Sequence, residues 1–119
     1  MIRLTEIAFG SATPIDGYGP GFFRIGGEIL QGGVIVTVSG ARIWTGMGDP
    51  APLLALGGES DVLLVGTGEE LAPPPAAFRE ALDGAGIAIE PMATPAAART
   101  YNVLLSEGRR IAAALLPVG

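Results

Sequence analysis

The second half of the chain alternates apolar strands with helices, and this order narrows the folds open to it. Residues 61–65 are dominated by a continuous apolar run, as a strand covered on both faces would be. Residues 87–89 form a second such strand, and residues 110–116 form a third. Strands separated by helices are joined by crossover connections, which are almost always right-handed. The order strand–helix–strand–helix–strand therefore predicts a sheet with parallel pairs.

The helices between these strands are predicted from side-chain spacing and from capping residues. The first carries apolar residues at i, i+3, i+4 and i+7, namely Phe78, Ala81, Leu82 and Ala85. The second begins with Thr94 as its N-cap and Pro95 just inside it, and it stops at Gly108. A shorter helix follows Asp49, which is its expected N-cap. The link at residues 107–109 is tight and favours a last strand that runs antiparallel to the others.

The first half is predicted to be β-structure. Gly26 and Gly27 separate two apolar runs within residues 22–30, and both glycines can take the positive φ of a tight hairpin turn. Residues 34–38 are rich in β-branched side chains, and residues 41–44 follow after a turn. We expect three or four sequential antiparallel strands in this half.

Length and composition favour one folded domain. The 119 residues are close to the commonest domain size, and 49% of them are hydrophobic while 16% are charged, so apolar material for a core is ample. No segment resembles a linker long enough to separate two domains. We therefore expect one α/β domain over residues 1–119, with a β-rich first half joined to a βαβαβ second half.

The missing residue types exclude many kinds of active site. The chain has no histidine and no cysteine, and its seven basic residues are all arginines. Without histidine, the usual general base near neutral pH and the commonest metal ligand are absent. Catalysis by carboxylates alone needs two acids that face each other in a cleft. We therefore expect a non-catalytic protein without metal or cofactor, although carboxylates and hydroxyls remain available for chemistry.

Charge and hydropathy limit which partners and which cell compartment are expected. The net charge of −5 and the single adjacent arginine pair, Arg109 and Arg110, argue against nucleic acid as a partner. The N-terminus lacks the basic stretch and apolar run of a signal peptide, and no apolar segment is long enough for a membrane span. The expected location is the cytoplasm.

One candidate small-molecule site lies where the parallel strands end. Ligands bind beyond the carboxyl ends of strands in open parallel sheets, next to helix N-termini that attract anions. The candidate binding residues there are Gly66, Thr67, Gly68, Glu90, Thr94, Tyr101 and Asn102. Structural roles also explain several of them: Thr94 as a helix cap, Tyr101 as a core residue, and the glycines as a sharp exit from the sheet. A binding site and a structural junction both remain open.

Two aromatic residues are candidates for a partner surface. Trp44 ends a predicted strand, and it either anchors a partner or covers the core. Tyr18 is central to the glycine-rich segment 16–22, which is predicted to be an exposed loop suited to contacts.

Several segments together resemble a known family. They are residues 18–26 (YGPGFFRIG), Trp44, residues 65–68 (VGTG) and residues 86–117, which include Thr94, the Thr-Tyr-Asn stretch at 100–102 and the Glu-Gly-Arg link at 107–109. The family includes the mitochondrial complex I assembly factor three and an adipogenesis-associated protein. The resemblance implies a compact three-layered α/β fold with a mixed central sheet. It also implies a non-catalytic role in assembling a membrane respiratory complex, and a link to membrane-protein insertion.

Two functional hypotheses follow. The first is an interaction or assembly factor, at the inner-membrane periphery or in the cytoplasm, which binds subunits of a membrane complex or insertion machinery and can self-associate. The alternative is a small-molecule or anion-binding protein, or a carboxylate- and hydroxyl-based enzyme, with its site at the strand ends.

Overall fold

The computed structural model describes residues 2–3, 13–57 and 60–119. In these ranges the strands are β1 (Ile2–Arg3), β2 (Ile15–Gly19), β3 (Phe22–Ile25), β4 (Glu28–Gln31), β5 (Gly33–Thr37), β6 (Gly40–Trp44), β7 (Val62–Gly66), β8 (Ile89–Met92) and β9 (Ile111–Leu115). The helices are α1 (Ala51–Leu54), α2 (Ala76–Gly84) and α3 (Thr94–Ser106). Within the same ranges no helix is both long and apolar enough to cross a membrane, since even α3 has only 13 residues.

The larger sheet is mixed and has the strand order β6-β5-β9-β7-β8. β7 pairs in parallel with β8 on one side and with β9 on the other, and the β7–β8 pair confirms the parallel pairing predicted from the strand–helix alternation. β5 runs antiparallel to both β9 and β6.

The expected antiparallel direction of the last strand is wrong with respect to β7 and β8. β9 runs parallel to β7, with Leu63 opposite Ala112. The reason is that α3 carries the chain back along the whole length of the sheet before the short link at residues 107–109 turns it into β9. Gly108, with φ +78°, makes that turn possible.

The smaller sheet has the order β1-β2-β3-β4 and is antiparallel throughout. The predicted hairpin is confirmed: Ile25 pairs with Glu28, and the two residues between them, Gly26 and Gly27, have φ of +57° and +85°. The segment 16–22 is not an exposed loop. It forms β2 and the turn into β3, because Tyr18 turns inward and pairs with Phe23.

The two sheets and the helices make three layers with two apolar cores. One core lies between the smaller sheet with α3 and one face of the larger sheet, and it contains Ile15, Phe23, Leu64, Tyr101 and Ala113. The other core covers the opposite face beneath α1 and α2. Alternate residues of β9 serve both cores, which explains why all five are buried. The expected three-layered α/β fold is confirmed.

Some element boundaries differ from the predicted ones. The second parallel strand is Ile89–Met92, not residues 87–89, because the Ile87 N–H is still bonded to the Leu82 carbonyl of α2. α1 begins after Pro50, and no side chain caps it, so the N-cap role expected of Asp49 is wrong. Thr94 is the first helical residue of α3 and not its N-cap, which is Ala93.

Candidate functional site

The carboxyl ends of β7 and β8 meet the start of α3, as the sequence predicts. The contact is made by Thr94, whose side chain is fully buried. Its Oγ1 accepts a hydrogen bond from the Gly68 N–H (3.0 Å) and donates one to the Leu116 carbonyl (2.7 Å). Its own N–H donates to the Gly68 carbonyl (2.8 Å). A single threonine therefore joins the loop after β7, the start of α3 and the end of β9.

Gly66 is required at this junction because no side chain would fit. A Cβ at this position would lie 2.7 Å from the Thr94 Oγ1 and 2.8 Å from the Leu115 Cδ2, well inside normal contact distance. The Gly66 carbonyl accepts a hydrogen bond from the Leu116 N–H (2.9 Å). The glycine thus permits close packing of β7 against α3 and the end of β9.

Thr67 organises the loop that leaves β7. Its Oγ1 donates to the Glu70 carbonyl (2.7 Å) and accepts from the Ala72 N–H (3.0 Å). Its backbone N–H donates to the Met92 carbonyl at the end of β8 (2.9 Å). These bonds hold the loop against the sheet, and they occupy the hydroxyl of Thr67, one of the candidate binding residues.

The N-terminus of α3 offers an anion few donors. Of its first three residues, Thr94 has its N–H bonded to the loop, and Pro95 has no N–H. A free helix N-terminus presents several unbonded N–H groups, and these groups create its affinity for anions. The geometry of Gly66, Thr67, Gly68 and Thr94 is therefore that of a closed structural junction, and ligand binding there stays a prediction.

Tyr101 and Asn102 lie deeper along α3 and bond to residues of the smaller sheet or just before it. The Tyr101 hydroxyl donates to the Thr13 carbonyl (3.3 Å), and burial raises the pKa of this tyrosine above its ordinary value. Asn102 bonds both backbone atoms of Ile15. Both side chains are buried, which corrects the expectation that they line the strand-end cleft.

Glu90 stands apart from the junction. It lies on β8, the edge strand of the larger sheet, where it pairs with Leu64 and is exposed to solvent. The prediction placed it at the end of a buried strand. The strand in fact continues through Pro91 to Met92, because proline is tolerated at a sheet edge.

The two aromatic candidates for a partner surface are core residues. Trp44 is 2% exposed, donates its Nε1–H to the Asp49 carbonyl (3.0 Å) and packs on Phe78 at a ring-centroid distance of 6.1 Å. Tyr18 is 3% exposed and packs on Phe23. Neither is available as an exposed anchor, so this assignment is corrected. Both rings are buried because another layer packs over the strand that carries them.

The arrangement of strands, helices and the Thr94 junction can be compared with known proteins. The sequence profile of the family described as "Protein of unknown function (DUF498/DUF598)" matches residues 15–116. The chain belongs to this family. It is 52% identical over 113 residues to an uncharacterised protein of Rhodobacter capsulatus, a match that covers 95% of this chain and 91% of the relative.

A second relative connects this DUF498/DUF598 member to the family that the sequence resembles. The chain is 33% identical over 115 residues to NADH dehydrogenase (ubiquinone) 1 alpha subcomplex assembly factor 3 of Danio rerio, covering 90% of this chain and 66% of that protein. The fold agrees with a crystal structure described as an outer membrane protein from Bartonella henselae, with a TM-score of 0.80, 38% identity, and coverage of 94% of this chain and all of that one. The resemblance and the fold class are thereby confirmed.

Sequence reasoning missed the apolar side chains that the structure exposes. Ile29 is 52% exposed and Ile43 is 53% exposed, and they lie on β4 and β6, each an edge strand of its sheet. Both residues sit within apolar strand patterns that predict burial. The signal that could have found them is the position of each strand at the end of a hairpin, where one side has no further strand.

Proposed function

We propose that this chain is a non-catalytic protein-binding factor that assists the assembly of a membrane protein complex. The observation that carries the proposal is its similarity to the assembly factor of Danio rerio, which extends over 90% of the chain. The proposed partners are subunits of a respiratory complex or of the insertion machinery. The proposed location is the cytoplasm, at the periphery of the inner membrane, and self-association is a proposed further property.

The hydrogen bonds at the strand ends argue against catalysis there and so support a non-catalytic role. A catalytic hydroxyl must be free to contact a substrate, whereas the hydroxyls of Thr67 and Thr94 are hydrogen-bonded to backbone groups. The Tyr101 hydroxyl is likewise engaged with a backbone carbonyl inside the protein. The threonine and tyrosine hydroxyls of the candidate site thus hold the fold together.

An exposed surface for a partner is offered by β4 and β6, which we call the edge-strand surface. The two strands contact each other although they belong to different sheets. Each exposes an isoleucine, Ile29 on β4 and Ile43 on β6, beside backbone groups at a sheet edge. Apolar side chains together with unpaired edge strands are a recurrent means of binding an extended partner segment.

The experiment is a cross-linked pull-down of the tagged chain from its native cells, with membranes included. Recovery of respiratory-complex or insertion-machinery subunits is the expected result. The double variant Ile29→Ser/Ile43→Ser should lose these partners while it keeps the fold. The matched control is Leu71→Ser/Val103→Ser, which removes two side chains that are 65% and 48% exposed elsewhere. Equal recovery with both double variants would reject the edge-strand surface, and recovery of no membrane-complex subunit would reject the function.

A further inference from the structure

A cavity of about 350 Å³ lies at the other end of the larger sheet from the Thr94 junction, where β9 begins. Its size is at the lower end of the range for small-molecule sites. One wall is apolar and is formed by Val38, Leu56, Ile111 and Ala112. The sequence gives no cue to it, because its walls come from three separate parts of the chain.

A second space of about 310 Å³ adjoins this cavity, since Thr37, Ser39 and Leu56 line both. We call the combined space, which lies between β5 and Leu56 in the segment that follows α1, the α1–β5 groove. Arg110 lines its first part and Arg42 lines its second part. The groove therefore combines an apolar wall, a row of hydroxyls and two guanidinium groups.

The lining of the groove is positively charged, although the chain as a whole has a net charge of −5. Among the described residues that line either part, two are arginines and none is a carboxylate. Arg110 forms an ion pair with Asp61, whose Oδ1 lies 2.7 Å from one guanidinium nitrogen. A guanidinium has five N–H donors, and this single contact leaves most of them for another carboxylate. Arg110 is also accessible, since its side chain is 65% exposed.

The hydroxyl groups of Thr37 and Ser39 can also contribute a hydrogen bond to a bound carboxylate. The Thr37 Oγ1 and Ser39 Oγ lie 3.2 Å apart and bond each other at the β5–β6 turn. A hydroxyl can donate to an anion while it accepts from a neighbour, so this pair can turn a proton toward a ligand.

We propose that the α1–β5 groove binds a small carboxylate with an apolar chain. Arg110 and the one proton that the Thr37–Ser39 hydroxyl pair has free to donate hold the carboxylate, and the apolar chain packs on Val38 and Leu56. Another cavity, about 460 Å³ beside α2, is a poorer match because Glu80 and Asp83 line it next to its one arginine, Arg79. The proposal does not depend on the protein-binding function, and either can fail alone.

The test uses octanoate as the probe and follows the backbone amide signals of the full chain by NMR. Octanoate should shift the amides of residues 37–39 and 110–112 in a saturable manner. Octanol keeps the apolar chain without the charge, and acetate keeps the charge without the chain, so each should bind at least about tenfold more weakly. Equal shifts with octanol or acetate, shifts confined to another region, or no saturable shift would each overturn the proposal.

Two variants of one ion pair separate ligand binding from a structural effect. Arg110→Gln should weaken octanoate binding by about tenfold because it removes the charged donor. Asp61→Asn breaks the same ion pair, yet it should strengthen binding by about two- to threefold because Arg110 is released from its competitor. Arg79→Gln, an exposed arginine on α2, should leave the affinity unchanged. If Arg110→Gln and Asp61→Asn shift the affinity in the same direction, the role of Arg110 is wrong.

Discussion

The side chain of Asn102 pairs with Ile15 as a neighbouring strand would. Its Oδ1 accepts a hydrogen bond from the Ile15 N–H (2.9 Å), and its Nδ2 donates to the Ile15 carbonyl (2.8 Å). Both residues are buried, and 87 positions separate them in the chain. The first core-facing residue of β2 is thereby joined to the middle of α3, so the smaller sheet is held on the helix by polar contacts as well as by apolar packing.

Asn102→Ala should lower the free energy of unfolding by about 2–4 kcal/mol, because two buried backbone groups would lose their partners at once. Urea denaturation of the purified variant measures this change. Val103→Ala is the control, since that neighbouring side chain is 48% exposed, and it should cost less than about 0.5 kcal/mol. A loss for Asn102→Ala no larger than the control would show that the pairing contributes nothing to stability.

Gly66→Ala should destabilise the fold by at least about 2 kcal/mol, because the added methyl group would overlap the Thr94 Oγ1 and the Leu115 side chain. Thermal unfolding provides the measurement. Gly48→Ala is the matched control: a Cβ there meets nothing within 4 Å, so its effect should be small. A wild-type melting temperature for Gly66→Ala would mean that β7, β9 and α3 are less closely packed than the distances indicate.

Thr94→Val tests the threonine that joins three elements. Valine keeps the shape but leaves the Gly68 N–H and the Leu116 carbonyl without their partner, so the expected loss is about 2–4 kcal/mol. Thr94→Ser keeps the hydroxyl and should cost less than half as much. Amide hydrogen exchange at Gly68 gives a local readout, and it should accelerate in the valine variant only. Similar exchange rates at Gly68 in the two variants would contradict the assigned hydrogen bond.

Tyr101 should make stability depend on pH in the alkaline range. Burial raises the pKa of its hydroxyl, so the folded chain holds this proton more tightly than the unfolded chain does. Stability from this group is therefore fully present below the ordinary tyrosine pKa of about 10 and falls above it, by up to about 1.4 kcal/mol per pH unit. Urea midpoints measured from pH 8 to 11 test this.

Tyr101→Phe is the control for the alkaline prediction. It loses the hydrogen bond to the Thr13 carbonyl and should be about 1 kcal/mol less stable near pH 8. Its stability should then decline less steeply above pH 10 than that of the parent chain. Parallel pH profiles for the two proteins would show that Tyr101 is not the group that titrates.

Features that depend on local sequence were predictable. The Gly26–Gly27 hairpin follows from two adjacent residues that tolerate positive φ, and the structure has the expected turn between Ile25 and Glu28. The parallel pairing of β7 with β8 follows from the order of elements along the chain. The approach of Gly66 and Gly68 to Thr94 was predictable for the same reason, since it needs only that the two strands be neighbours.

Whether an individual side chain is buried or exposed was not predictable from local sequence. Trp44 and Ile43 are adjacent on one strand, yet one is 2% exposed and the other 53%. Their pattern in the sequence is the same apolar run, and only the layers that pack on each face of β6 distinguish them. The hydrogen-bond partner of Thr94 was not predictable either. The local sequence suggests a helix cap, whereas the hydroxyl donates to the carbonyl of Leu116, 22 positions further along the chain.

By itself the sequence determined most of the strands and helices, the parallel pairing of β7 with β8 and the exclusion of histidine, cysteine and lysine chemistry, because these depend on residue type and on nearest neighbours along the chain. The tertiary structure alone decided which polar groups are engaged, which apolar groups are exposed, and where the α1–β5 groove opens. Those features arise where segments distant in sequence meet. Each depends on how the sheets and helices pack together, which no local pattern encodes.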